Sequence, residues 1–254
     1  MRLALRALPN GGMDLLRQIL LFCGAYWMYR LARALVYDQT IAAYAHARDI
    51  VHLERSVHVF VEPSVQAWTM GTGFLEDAAS WTYLNSHFVV TSCTLAFVYL
   101  FRNEHFYFVR NMFMVAMGLA LLGYVVYPTA PPRMFPELGF VDSVANYTGV
   151  SESSVGTLFN PFAAVPSMHV CFALMLSVPM IRMSRHTWAK ALWSVYAPAI
   201  TFVVIATGNH WIFDAVSGAM VAAVSAIAAQ TLFARARPQA WAWHQGLASP
   251  ARAG

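Results

Sequence analysis

Apolar residues in this chain fall into six long runs, at residues 15–36, 80–101, 106–127, 163–181, 188–206 and 211–233, each rich in Leu, Val, Ala, Phe and Met. Roughly 20 such residues cross a bilayer as a helix, so each run predicts a membrane-spanning helix. Arg30 and Arg33 interrupt the first. Between the first two runs the pattern changes. Ile50, Leu53, Val57 and Phe60 recur at helical spacing, with Arg48, His52 and Arg55 on another face, until Pro63. This spacing predicts an amphipathic helix, either lying on the membrane surface or packed on the bundle as an extra helix. The connection after the third run holds Pro128, Pro131, Pro132, Pro136 and Pro161, too many for a regular helix. Rigid, irregular connections of this kind often carry function.

Composition supports the pattern. Of 254 residues, 59% are hydrophobic and 11% charged, with a mean hydropathy of +0.51. A soluble domain carries about 25% charged residues. The predicted fold is therefore an all-α integral membrane protein, a six-helix bundle with an amphipathic helix in the first outer loop. Residues 1–234 are expected to form one membrane-embedded domain and 235–254 a mobile tail. The start of the chain has no long apolar core ending in a cleavage site, so no removable leader is expected. The net charge of +4 comes from scattered arginines rather than a basic face, which argues against a nucleic-acid partner. Cys23, Cys93 and Cys171 lie in apolar runs without CxxC spacing and read as small buried hydrophobes.

Loop charge orients the bundle. The side holding both termini carries eleven basic residues, from Arg2 to Arg252, whereas the other side has Arg48, Arg55 and Arg133 beside nine acids. Positive loops stay inside. A multi-pass protein of the cell membrane is expected, with cytoplasmic termini.

Ionisable groups at the ends of spans are costly and are functional candidates. His169 opens the fourth span in NPFAAVPSMHV; His210 and Asp214 open the sixth in ATGNHWIFDAVSG, one helical turn apart on one face. Arg133 ends YPTAPPR after the third span. All four fall on the outer side. A carboxylate one turn from a histidine fixes its tautomer and raises its basicity. A second histidine can protonate a leaving group, and an arginine presents planar donors to phosphate oxygens. Together they suffice for phosphoryl transfer. Two His and an Asp could instead hold zinc, although a second closely spaced ligand pair such as HxxxH is missing. A buried polar network joining helices is the third reading.

PSMH, residues 166–169, resembles the PSGH motif of the type 2 phosphatidic acid phosphatase superfamily, and His210-x-x-x-Asp214 resembles the end of that family's third motif, SRxxxxxHxxxD. The motif order and six-span layout also match. The resemblance implies that His210 attacks phosphorus to form a phosphohistidine, that Asp214 orients it, and that His169 protonates the leaving alkoxide. It implies that Ser167 and nearby backbone N–H groups bind phosphate, with no metal and no cofactor. Two motif positions depart. The Ser and Arg of the third motif fall on Val203 and Val204, and the first motif, KxxxxxxRP, is replaced by YPTAPPR. Such losses resemble the inositol phosphorylceramide synthase branch, an inositolphosphotransferase type.

The substrate-binding candidates are Arg133, Ser167, Asn209, Arg30, Arg33 and His87, the two early arginines reading equally as interfacial anchors. Asn85 is placed beside His87 near the outer end of the second span. Glu54, Arg55 and Glu62 read as a solvated face, and the Trp residues near span ends as an aromatic belt. The expected activity is cleavage of a lipid phosphate or phospholipid on the extracytoplasmic face, with transfer to water or to an inositol- or sphingolipid-type alcohol. A non-catalytic lipid-binding or transport protein is the alternative.

Overall fold

The computed structural model describes residues 8–34, 39–150 and 162–233, with the side chains of 28–34 and 232–233 outside that description. The expected tail, 235–254, lies outside it, as do the end of the first run and residues 151–161. The described residues form nine α-helices: α1 (Gly11–Ala34), α2 (Thr40–Ser56), α3 (Glu62–Met70), α4 (Gly73–Phe101), α5 (Asn103–Val126), α6 (Ser143–Thr148), α7 (Met168–Met183), α8 (Thr187–Ala206) and α9 (Ile212–Ala228). No strand occurs among them, only an isolated bridge between Thr129 and Ala163.

Helix α7 is the hub. It packs on α8, α9, α4 and α5, and Met168, Val170, Cys171, Phe172, Ala173, Met175, Leu176 and Met180 are all buried. A helix apolar on every side belongs in an interior. The helices around it are inverted relative to those of a water-soluble protein. On α9 the buried stripe is small (Ala215, Gly218, Ala222, Ser225), whereas the exposed stripe is large and apolar (Val216, Met220, Val224, Ile227). Small residues let helix backbones approach, and large ones face hydrocarbon. Helices α4, α5, α8 and α9 are long and apolar enough to cross a membrane. The chain is an integral membrane protein. Helix α7 is apolar but has only 16 residues, and α1 has the length, with 24, but carries Asp14, Arg17, Arg30 and Arg33.

The run boundaries shift at two places. Helix α4 begins at Gly73, before the apolar run, because Glu76 and Asp77 extend its polar end. Helix α7 begins at Met168, not 163, because Ser167 caps it: its hydroxyl accepts from the Val170 N–H at 3.5 Å. Val165, with Phe162, instead helps to close a second core above the bundle.

That core lies where α5 ends and α9 begins. Trp211, fully buried, sits among Phe135, Phe140, Phe162, Val165, Ala130, Ala43, Ala47 and Ile50, and its indole N–H donates to the Ala130 carbonyl at 3.0 Å. The aromatic-belt reading therefore fails for Trp211, which is an interior anchor. The first connection contains the expected helix, α2, but with another face inward. Ala43, Ala47, Ile50, Val51 and Glu54 are buried, whereas Leu53 and Val57 are exposed. The alanines let α2 approach this core closely, so of the two readings the packed helix holds. Pro63 does not end structure; it sits in the first turn of α3, where its missing N–H costs nothing. The proline-rich connection folds as two 3₁₀ turns, Pro132–Met134 and Pro136–Leu138, followed by short α6. Cys171 is buried as expected, but Cys23 and Cys93 are exposed on the outside of the bundle.

Candidate active site

The turn 207–210 connects α8 to α9 and is held by a dense set of hydrogen bonds. The N–H groups of Asn209 and His210 both donate to the Val204 carbonyl at 3.1 Å. Ser143 Oγ donates to the Thr207 carbonyl at 3.1 Å, and the Asn209 amide donates to the carbonyl and hydroxyl of Thr207. Gly208 has φ +66, and a Cβ there would sit 2.7 Å from Nε2 of Gln66. Only glycine takes that conformation in that space without strain. Gln66 in turn exchanges two hydrogen bonds with the backbone of Val141.

His210 leaves this turn two residues before α9, so the pair does not share a helical face as the spacing predicted. Asp214 is the third residue of α9, and its carboxylate turns back over the helix start. Its Oδ2 lies 3.2 Å from Nδ1 of His210 and accepts the Trp211 N–H at 2.9 Å. With Nδ1–H donating to this carboxylate, Nε2 is the ring nitrogen left free of it. Asp214 is fully buried and His210 nearly so, which concentrates this interaction away from water.

The backbone brings His169 to the same place. The Ser167 N–H donates to the Asp214 carbonyl at 3.0 Å, fixing the start of α7 against α9. Gly218 makes this approach possible, because a Cβ there would run into the Ser167 carbonyl. His169, second in α7, then presents its ring edge-on to His210 with centroids 5.8 Å apart. Tyr83 stacks on His169 at 4.5 Å, and His87 lies against it at 4.5 Å while stacking on Phe172 at 4.8 Å. Three histidines thus meet at one end of the bundle.

Arg133 reaches the turn from the other side. Its backbone N–H donates to the Gly208 carbonyl at 2.8 Å, and its Nη1 to Oδ1 of Asn209 at 2.7 Å. Its Nε lies 3.6 Å from a carboxylate oxygen of Asp142. Asn209 is therefore the link between the arginine and the residue before His210. Ser167 is fully buried with its hydroxyl engaged in the cap. The side chains of Arg30 and Arg33 lie outside the described residues. The Asn85 amide donates to the Trp81 carbonyl within its own helix. Val203 and Val204 are buried, Val204 packing with Val170, Ala173 and Ile200, so those two positions hold core rather than phosphate ligands.

Sequence reasoning missed Tyr83, and it misplaced two acids. Glu54 and Glu62, expected on a solvated face, are 2% and 0% exposed. Glu62 accepts the Ile212 N–H at 3.0 Å and Glu54 the Phe213 N–H at 2.8 Å. The Ala43–Ala47–Ile50–Glu54 spacing, a small-residue stripe leading to an acid, was the available signal.

A family model described as the PAP2 superfamily matches residues 48–228. The chain belongs to the PAP2 superfamily. No curated protein and no solved structure gave a match. The matched span contains Glu54, Glu62, Arg133, His169, His210 and Asp214. Membership supports a phosphatase-type lipid phosphoesterase, in agreement with the apolar helices that hold it in a membrane.

Proposed function

We propose that this protein cleaves the phosphoester of a lipid phosphate through a phosphohistidine on His210, at the extracytoplasmic surface of a six-span bundle. One observation carries the reading: the Asp214 carboxylate 3.2 Å from Nδ1 of His210, which leaves Nε2 to act. The lone pair of Nε2 attacks phosphorus, and the bond from phosphorus to the lipid oxygen breaks. His169 gives its proton to the departing alkoxide. Water or an alcohol then attacks the phosphohistidine, giving a proton back to His169, and the phosphoryl group leaves Nε2. Asp214 stabilises the charge on the imidazole throughout. Arg133, held in place by Asn209, supplies planar donors for the phosphoryl oxygens, joined by Ser167, His87 and the early arginines, Arg30 and Arg33.

Valines at 203 and 204 and the missing lysine motif favour the inositol phosphorylceramide synthase-like branch, with an inositol- or sphingolipid-type acceptor. The eleven-to-three imbalance of basic residues supports cytoplasmic termini, with residues 1–234 as the catalytic domain and 235–254 as a cytoplasmic tail. The test is a panel of labelled lipid phosphates given to purified protein, with and without polyols and lipid alcohols. A new phosphate ester of the added alcohol identifies a transferase and free phosphate a hydrolase. Binding without turnover of any donor would leave only a lipid carrier.

A further inference from the structure

Helix α9 begins with three successive backbone N–H groups, and each meets a carboxylate: Trp211 meets Asp214, Ile212 meets Glu62, and Phe213 meets Glu54. The first N–H groups of a helix have no partner within it, and their partial positive charge favours anions. Asp214 is local. Glu54 and Glu62 come from α2 and α3, about 150 residues earlier, so two helices outside the bundle grip the start of the helix that follows His210. Each acid spends one oxygen on this grip. The other, Oε2 in both, is buried and has no hydrogen-bond partner among the described residues, while the two carboxyl groups lie within hydrogen-bonding reach of each other. Two ionised carboxylates at that separation repel, and two orphaned oxygens are costly. One proton between them removes both penalties.

We infer that Glu54 and Glu62 form an acid pair sharing one proton, and that this pair positions His210 by fixing the backbone of Trp211–Phe213. The inference rests on His210 as the reacting group. The acids touch no substrate and are positioning residues. Burial first, and the Glu62 carboxyl next, push the Glu54 carboxyl up to about 9. Among the described residues the titratable groups bearing on it are Glu62 from α3 and Asp214 from α9, both acids, while the Phe213 N–H favours the ionised form. The neutral form is the one the fold keeps. Its contribution to stability is complete below the ordinary carboxyl value of 4.5 and is lost progressively as the pH rises to about 9. Above that, a second negative charge in the pair loosens the grip.

The experiment compares E54A, E54Q, E62A and wild type in detergent. A small displacement of a reacting group costs about a hundredfold in rate, so E54A and E62A lower kcat by that order with little change in KM. E54Q, whose amide accepts from Phe213 and donates to Glu62 without a titrating proton, recovers most of the loss. Measured on an activated aryl ester, which needs no general acid, wild-type kcat falls as the pH passes about 9, and E54Q lacks that fall. Thermal unfolding of the wild type declines in midpoint between pH 5 and 9, and that of E54Q declines less. Equal damage in E54Q and E54A, or an unchanged alkaline limb, overturns the pair. H210A separates the two ideas. If it keeps the pH-dependent unfolding while losing turnover, both stand; if it keeps turnover, the nucleophile fails while the unfolding data still judge the acids.

Discussion

His169 and His210 have the same chemistry, and in the proposed mechanism their neighbours divide the work between them. His210 is held at Nδ1 by a buried carboxylate, which suits an attacking base. His169 is packed against the rings of Tyr83 and His87. An attacking group is needed whatever leaves, whereas an acid is needed only for a poor leaving group. His169→Ala is therefore expected to lose about 10²–10⁴ in rate on a lipid phosphate and far less on a nitrophenyl ester. His210→Ala loses both activities. Steady-state rates on the two substrates check this, and equal losses for His169→Ala would reassign it to binding. Sequence could name these residues because motif spacing survives any surroundings. The interior places of Glu54 and Glu62 were harder to see, because the backbone N–H groups that satisfy them lie 159 and 150 residues away.

At the scale of elements, the site depends on how closely α7 and α9 approach. Gly218 is the contact point, its hydrogen facing the Ser167 carbonyl where a side chain would collide. Neither backbone can yield without moving Ser167 from the Asp214 carbonyl. Gly218→Ala is expected to destabilise the fold by about 1–3 kcal/mol, the usual cost of overpacking. It should also depress kcat by separating His169 from His210. Thermal unfolding in detergent and rates on a lipid phosphate check the two effects, and an unaltered enzyme would mean the helices have slack. The membrane-length helices were legible because hydrocarbon demands continuous apolar runs. The outer helices were only partly legible. Their inward face is built from alanines and acids, so counting large hydrophobes selected Leu53 and Val57, which are exposed. The beginning of α7 was misjudged for a related reason. Val165 is apolar because it fills the core around Trp211 and Ala163 because it joins the bundle core, and Ser167 marks the true start.

For the whole molecule, two layers divide the labour: an apolar bundle that carries the histidines, and a cap of α2, α3 and the 128–148 connection that fixes their backbone. On the proposed orientation, this cap faces outside the cell. A cysteine introduced at Asn146, in α6, should react with an impermeant thiol reagent added to intact cells, and one at Arg185, between α7 and α8, should react only after lysis. The reverse pattern would put the chemistry on the cytoplasmic side. The central claim is covalent, and a trapping experiment addresses it most directly. Protein is mixed with a lipid phosphate labelled at phosphorus, quenched in base and digested, and the peptides are sequenced by mass spectrometry. The account predicts an acid-labile, base-stable label on His210, absent from His210→Ala and accumulating in His169→Ala with an activated donor. Label on another residue, or turnover of the labelled lipid with none on His210, would contradict it.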